Sequence, residues 1–258
     1  MKPTDPAVLE ICCESPAGVA AAIAGGADRI ELCSALAIGG LTPSAGLVGA
    51  ARAATQAAGI ALYAMVRPRG GDFAYDASDL ALALGEARTL IAQGIDGLVF
   101  GAVRGGAVDD DANRRFLDGV RDAAGWRLPC TFHRAIDVIA DAVGAVAHVA
   151  ALGFDQILTS GGARRAPDGA ATIRAMVAAA DGTGVSVMAG AGVTPDTAIA
   201  LLADTGVRAL HASASVAGGA PHPRFVELGF ALGPERHTDV ATVRALRSAL
   251  DNLPTIGH

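Results

Sequence analysis

The chain has 258 residues, 52% of them hydrophobic and only 4% aromatic, enough apolar mass to bury a large core without disulfides or a structural metal. Lys plus Arg number 20 against 26 Asp plus Glu, a formal charge of −6 with no basic run, which excludes a general nucleic-acid surface and strong attraction to anionic membranes. Residues 1–7 show no charged segment leading into an apolar one and no stretch is apolar for long enough to span a bilayer, so a cytoplasmic protein with four free cysteines is expected.

The first apolar run is 8–13 (VLEICC). A helix is expected after it at Ser15-Pro16, where the hydroxyl can cap free N–H groups and proline suits the first helical position. Residues 25–32 (GGADRIEL) then carry the chain from a glycine helix end into a second strand. The same joint recurs at 94–99 (GIDGLV), 153–158 (GFDQIL) and 206–210 (GVRAL), marking strands four, six and eight. Between these joints lie 60–66 (IALYAMV), 128–133 (LPCTFH) and 185–190 (VSVMAG), read as strands three, five and seven. Helical patterns of roughly 10–18 residues separate the runs, the spacing of βα units. Thr42-Pro43 and Thr194-Pro195 mark further helix starts. Eight such units predict an α/β fold, a (β/α)8 TIM barrel that fills 1–258 as one domain. An open doubly wound sheet is the weaker alternative, because no GxGxxG follows the first strand. Residues 217–236 read as an irregular excursion before a final helix near 239–251.

In such a barrel the strand C-termini and the loops after them form the site. Alternation puts Glu10 with Cys12 on one face of the first strand, and Glu31 with Cys33 on one face of the second. Acids seldom stay deep in a strand unless paired, so Glu10 and Glu31 are candidate catalytic groups. Arg67 and Arg69 at the third strand either neutralise those acids or bind an anionic substrate. His133 is the candidate general acid/base, with Glu10 or Glu31 as its partner or as a second base, and Asp137 orients His133 or Arg134. The loop at 189–194, with Gly190 and Gly192, is a candidate phosphate cradle; the plain alternative is a tight turn. His211 is placed with the substrate-binding residues or, equally, in the core. Cys13 and Cys130 read as small buried hydrophobes. Cys12 and Cys33 read either that way or, on strands roughly 4.8 Å apart, as thiols able to meet one soft metal ion such as Cu(I) or Zn(II).

The stretches LEICC (9–13), GGADRIELC (25–33), GGLTPS (39–44), RPRGGDF (67–73), GLVFGA (97–102), TFHRAID (131–137), LTSGG (158–162), MAGAGV (188–193) and TDVATVRAL (238–246), in that order, resemble the CutC family of copper homeostasis proteins. RPRGGDF and TFHRAID are the specific ones. The resemblance implies a (β/α)8 barrel, usually a cytosolic homodimer, and Cu(I) binding at the positions of Cys12 and Cys33, both retained here. Residues 217–236 depart from the family pattern and lack its Met-containing stretch, at a place where a lid or dimer contact would be sought. Two functions follow from different classes: a copper-handling protein, or an enzyme acting on a small phosphorylated or carboxylated metabolite by isomerisation or aldol-type chemistry.

Overall fold

The computed structural model describes residues 7–230 and 233–252. Eight strands, β1 (Val8–Cys13), β2 (Arg29–Leu32), β3 (Ala61–Met65), β4 (Gly97–Phe100), β5 (Cys130–Phe132), β6 (Gln156–Thr159), β7 (Ser186–Gly190) and β8 (Ala209–Ala212), pair in parallel in chain order. β8 closes on β1, with Glu10 opposite His211 and Ile11 opposite Ala212. The result is the expected (β/α)8 barrel. The expected span of 1–258 also includes residues 1–6, 231–232 and 253–258, which lie outside the described residues.

Around the barrel run α1 (Pro16–Gly25), α2 (Ala45–Ala58), α3 (Ala77–Ala92), α4 (Asp110–Ala124), α5 (Ala145–Leu152), α6 (Ala170–Ala180), α7 (Pro195–Thr205) and α8 (Val240–Asp251). Outward strand residues such as Leu9, Ile11, Ile30, Leu32, Leu62, Leu98 and Ile157 are fully buried in the layer between strands and helices. Each contributes about 1.5–3 kcal/mol of apolar burial.

The repeated joint has a mechanical meaning. The Asp28 carboxylate accepts the N–H of Leu9 at 2.7 Å, Asp96 that of Leu62 at 2.8 Å, and Asp155 that of Cys130 at 2.9 Å. Each of these aspartates returns its own N–H to the carbonyl of the same residue. The motif thus pins each even strand to the odd strand before it and fixes register from below. The fourth repeat has Arg208 at this position and uses its carbonyl to accept the N–H of Val8.

Ser15 caps α1 through the N–H of Gly18, and Thr194 forms a capping box with Thr197 at α7, both as expected. Thr42 does not cap α2. Ser44 does so, because Pro43 sits between Thr42 and the helix start at Ala45. The Thr42 hydroxyl instead accepts the N–H of Arg67 at 2.9 Å and donates to Glu86 at 2.6 Å. The 217–236 excursion leaves the barrel on an antiparallel ribbon of Ser215–Ala217 with Arg236–Thr238 and carries the short helix Pro223–Glu227. Phe225, Val226, Leu228 and Phe230 on it are exposed. Among the described residues no helix is long and apolar enough to cross a membrane.

Candidate active site at the C-terminal mouth

The inward parity of β2 is Arg29, Glu31 and Cys33, and that of β1 is Glu10 and Cys12. Side chains facing into a barrel normally pack as apolar layers. Here the middle of the lumen is charged. Glu10 pairs with Arg29 on one oxygen, and its other oxygen lies 2.7 Å from His211 Nδ1. Arg29 also bonds Gln156 and lies over the Tyr63 ring, 4.3 Å from its centroid. His211 Nδ1 is 3.4 Å from Glu31 as well. Register makes this possible, since Glu10 is level with Arg29 on one side and His211 on the other.

Above this network a cavity of about 270 Å³ opens to the mouth, lined by Cys12, Glu31, Cys33, Arg67, His133 and His211 among others. Leu36, Ile38 and Val138 form an apolar rim with Arg134 beside them. Three buried polar atoms on the lining residues have no partner: Glu31 Oε1, Arg67 Nε and His133 Nε2. A buried polar group without a hydrogen bond costs about 1–3 kcal/mol, so three on one cavity mark a place built for a polar guest.

Burial drives the Glu31 carboxyl up and Glu10 adds to this, while His211 and Arg29 pull against it; the balance is about 7. Burial acts on Glu10 in the same sense, but Arg29 and His211 overcome it and hold that carboxyl below its usual range. The two histidines diverge. Burial and the neighbouring Arg67 cation push His133 down to about 3. Burial also disfavours charge on His211, yet Cys12, Glu10 and Glu31 outweigh it and hold the imidazole well above its ordinary value. His133 Nδ1 accepts the Ala135 N–H at 3.2 Å, which puts the proton of the neutral ring on Nε2, the atom left without a partner. Gly101 makes room for that ring, because a Cβ there would lie 2.7 Å from His133 Nδ1.

The remaining expected residues separate. Arg67 lines the cavity, but three of its hydrogen bonds go to the carbonyls of Ile38, Gly40 and Gly71, so it also ties the rim together. Arg69 turns away from the cavity: Asp79, Asp72 and the carbonyls of Gly70 and Ala74 take its donors. Neither arginine neutralises Glu10 or Glu31; Arg29 has that place. Glu10 and Glu31 meet His211 and not His133, because β5 stands across the barrel from β1 and β2. Asp137 lines the cavity, yet its oxygens accept from Thr159, Ser160, Gly162 and Arg134. It orients Arg134, with its lone pairs already engaged. Gly190 and Gly192 are not among the lining residues. A Cβ on Gly190 would lie 2.6 Å from Leu158, and Gly192 has φ +69° and packs under Arg165, so close packing accounts for both.

Sequence reasoning missed Arg29, Arg134 and Gly101. Arg29 was readable, since it shares the parity of Glu31 and Cys33. Arg134 directly follows His133. Gly101 carried no signal, because only the folded path brings it against the imidazole.

The CutC family model matches residues 7–216. The chain belongs to the CutC family. CutC family proteins of Sinorhizobium medicae and Caulobacter vibrioides are 44% and 43% identical to it over 247 and 246 residues. These alignments cover 95% and 94% of this chain and 97% and 96% of the relatives. The crystal structure of CutC from Streptococcus agalactiae superposes with a TM-score of 0.74 at 30% identity, covering 80% of this chain and 98% of that one. A thiamine phosphate pyrophosphorylase from Pyrococcus furiosus, 16% identical with a TM-score of 0.58, shares the fold alone. The CutC model match stops at residue 216, where the excursion begins, and every residue lining the cavity lies inside it.

Proposed function

We propose that this chain is a TIM-barrel enzyme that moves a proton on a small anionic carbonyl compound held at the mouth of the barrel. The observation that carries this reading is that three residues lining one cavity, Glu31, Arg67 and His133, each hold a buried polar atom without a partner: Oε1, Nε and Nε2. Each has a chemical role. Arg134, half-exposed at the rim, and Arg67 Nε attract the anionic group. The neutral His133 ring donates Nε2–H to a carbonyl oxygen. Glu31, poised at about 7, takes a proton from the neighbouring carbon and returns it elsewhere, which is isomerisation or reversible enolisation. Ala35, Ala191 and Ala214, with φ of 51°, 76° and 45°, follow β2, β7 and β8 at this same end, where strained backbone tends to cluster around function. The only lysine of the chain is Lys2, outside the described residues, so no lysine of the barrel supports an aldol route through an imine.

The test is solvent exchange. A panel of small phosphorylated and carboxylated aldehydes and ketones is incubated with protein in D₂O, and C–H to C–D exchange is followed by NMR. At least one compound should exchange, and Glu31→Gln should slow it by about 100-fold or more. No exchange across the panel, or exchange that survives Glu31→Gln, would overturn the reading.

A second reading, cytoplasmic handling of Cu(I) by Cys12 and Cys33, has one observation in its favour: both thiols line the cavity. A pair of soft donors suits Cu(I) in kind. The surroundings oppose it. Burial and Glu31 push the Cys33 thiol well above its ordinary range, so the thiolate that binds metal is disfavoured. Among the described residues, the cluster whose ligand atoms lie within 4.8 Å of one another is Glu10, Glu31 and His211, two hard carboxylates and a borderline imidazole with no thiolate. Anaerobic Cu(I) titration against a competing chelator decides: tight one-to-one binding lost in Cys12→Ser/Cys33→Ser supports copper, and binding unchanged by the substitutions removes it.

A further inference from the structure

We infer that Cys12 is a nucleophile in a Cys12–His211–Glu10 constellation and adds to the carbonyl carbon of a small aldehyde or ketone in the cavity. The inference goes beyond proton transfer at Glu31, and resting on the same cavity it names an electrophilic carbonyl as the shared feature of its ligands. Three groups in series, a thiol, an imidazole and an orienting carboxylate, are the general pattern of an activated nucleophile. Adjacent strands supply them. Cys12 lies two residues beyond Glu10 on the inward face of β1, and His211 is level with Glu10 on β8. Glu10 holds His211 Nδ1 at 2.7 Å, and Arg29 fixes Glu10 from the other side. The imidazole is therefore locked in orientation, with Cys12 beside it, one inward position further along β1. Cys12 Sγ also sits 3.6 Å from the carbonyl of Ala212, the residue after His211.

The surroundings supply the rest of the chemistry. Cys12 and His211 both line the cavity, as do His133 and Arg67, whose Nε2–H and Nε–H are unpartnered donors. Cys12 is 6% exposed, against 0% for Cys13, 1% for Cys33 and 2% for Cys130. Cys13 points out of the lumen toward Thr238, and Cys130 faces the carbonyl of Leu128. Cys12 is thus the thiol with an imidazole beside it and space in front of it.

The step balances without any co-reactant. The His211 imidazolium gives a proton to the carbonyl oxygen as the sulfur lone pair forms a C–S bond and the carbonyl π pair moves onto oxygen. The thiol proton passes to the ring nitrogen so freed, which restores the imidazolium and leaves a thiohemiacetal that reverses by the same path.

The experiment is carbamidomethylation of the native protein with iodoacetamide at neutral pH, followed by peptide mass spectrometry. Cys12 should label first among the four cysteines, and His211→Asn should slow it by about tenfold or more. His211→Gln serves as the second variant, with circular dichroism checking that each retains the wild-type fold. Glyoxylate, an anionic aldehyde, should protect Cys12 from the reagent in the wild-type protein, and its removal should restore labelling. Labelling led by another cysteine, a Cys12 rate unchanged in the folded His211 variants, or no protection by glyoxylate would each overturn the inference. None of these readouts requires turnover, so loss of proton exchange in the Glu31 test leaves them standing, and their failure leaves that test intact.

Discussion

The two walls of the cavity treat a buried histidine in opposite ways. On the β1, β2 and β8 side, His211 lies among Glu10, Glu31 and Cys12 and is held as a cation. On the side of β3 and β5, His133 lies near Arg67 and is held neutral, with a pKa near 3. Burial disfavours charge at both. The sign of the neighbours decides which ring keeps its proton, a stronger lever here than desolvation on one wall and an ally of it on the other. Separated pKa values in one cavity are how a single fold offers a proton acceptor and a neutral hydrogen-bond donor at the same pH.

The first way to break this contrast is to remove the cation that lets Glu10 stay ionised. Arg29→Met leaves a buried carboxylate without its partner and should cost about 3–5 kcal/mol in chemical denaturation. A loss below about 1 kcal/mol would mean the lumen is wetter than the structure shows. Next in size, Gly101→Ala places a methyl where the His133 ring lies. It should cost about 1–3 kcal/mol by overpacking and abolish the exchange that Glu31 catalyses, while Cys12 labelling persists.

The pH dependence sharpens the contrast. Unfolded, His133 takes a proton near 6.5; folded, only near 3. The unfolded chain therefore binds more protons in that window, and the stability His133 contributes is full above 6.5 and is lost as pH falls toward 3. Glu31 acts the other way: its folded pKa is raised from 4.5 to about 7, so its contribution falls as pH rises through that interval. His133→Asn should remove the acid-side loss, and Glu31→Gln should remove the neutral-side one, both read from denaturation midpoints between pH 4 and pH 8. The smallest effect belongs to Arg69→Ala. That half-buried arginine pairs with Asp72 and Asp79, and its loss should cost no more than about 1 kcal/mol and leave glyoxylate protection of Cys12 unchanged. Arg134→Ala should weaken that protection.

The fold was largely legible because it is written in local chemistry. Glycine helix ends and apolar runs mark all eight strands, and the Asp28, Asp96 and Asp155 joints bind β2, β4 and β6 each to the strand before it. Strand parity also put Glu10 with Cys12, and Glu31 with Cys33, on shared faces, and barrel closure turns those faces inward. What parity cannot give is who meets whom across the barrel. Glu10 and His211 are neighbours because β8 closes on β1, a contact between positions 201 residues apart. Arg67 and Arg69 share a parity, yet the loop at 70–74 draws Arg69 away, and only its folded path decides that. Thr42 was mistaken for a cap because Ser44, the better-placed hydroxyl, lies two residues further on.

The central claim, that opposed walls hold one histidine charged and the other neutral, is most directly tested by ¹⁵N NMR of imidazole-labelled protein between pH 5 and pH 8. His133 should show a neutral ring protonated on Nε2 across the whole range, while His211 should show two protonated nitrogens at pH 7. Resonances of both rings titrating together near 6.5 would contradict it.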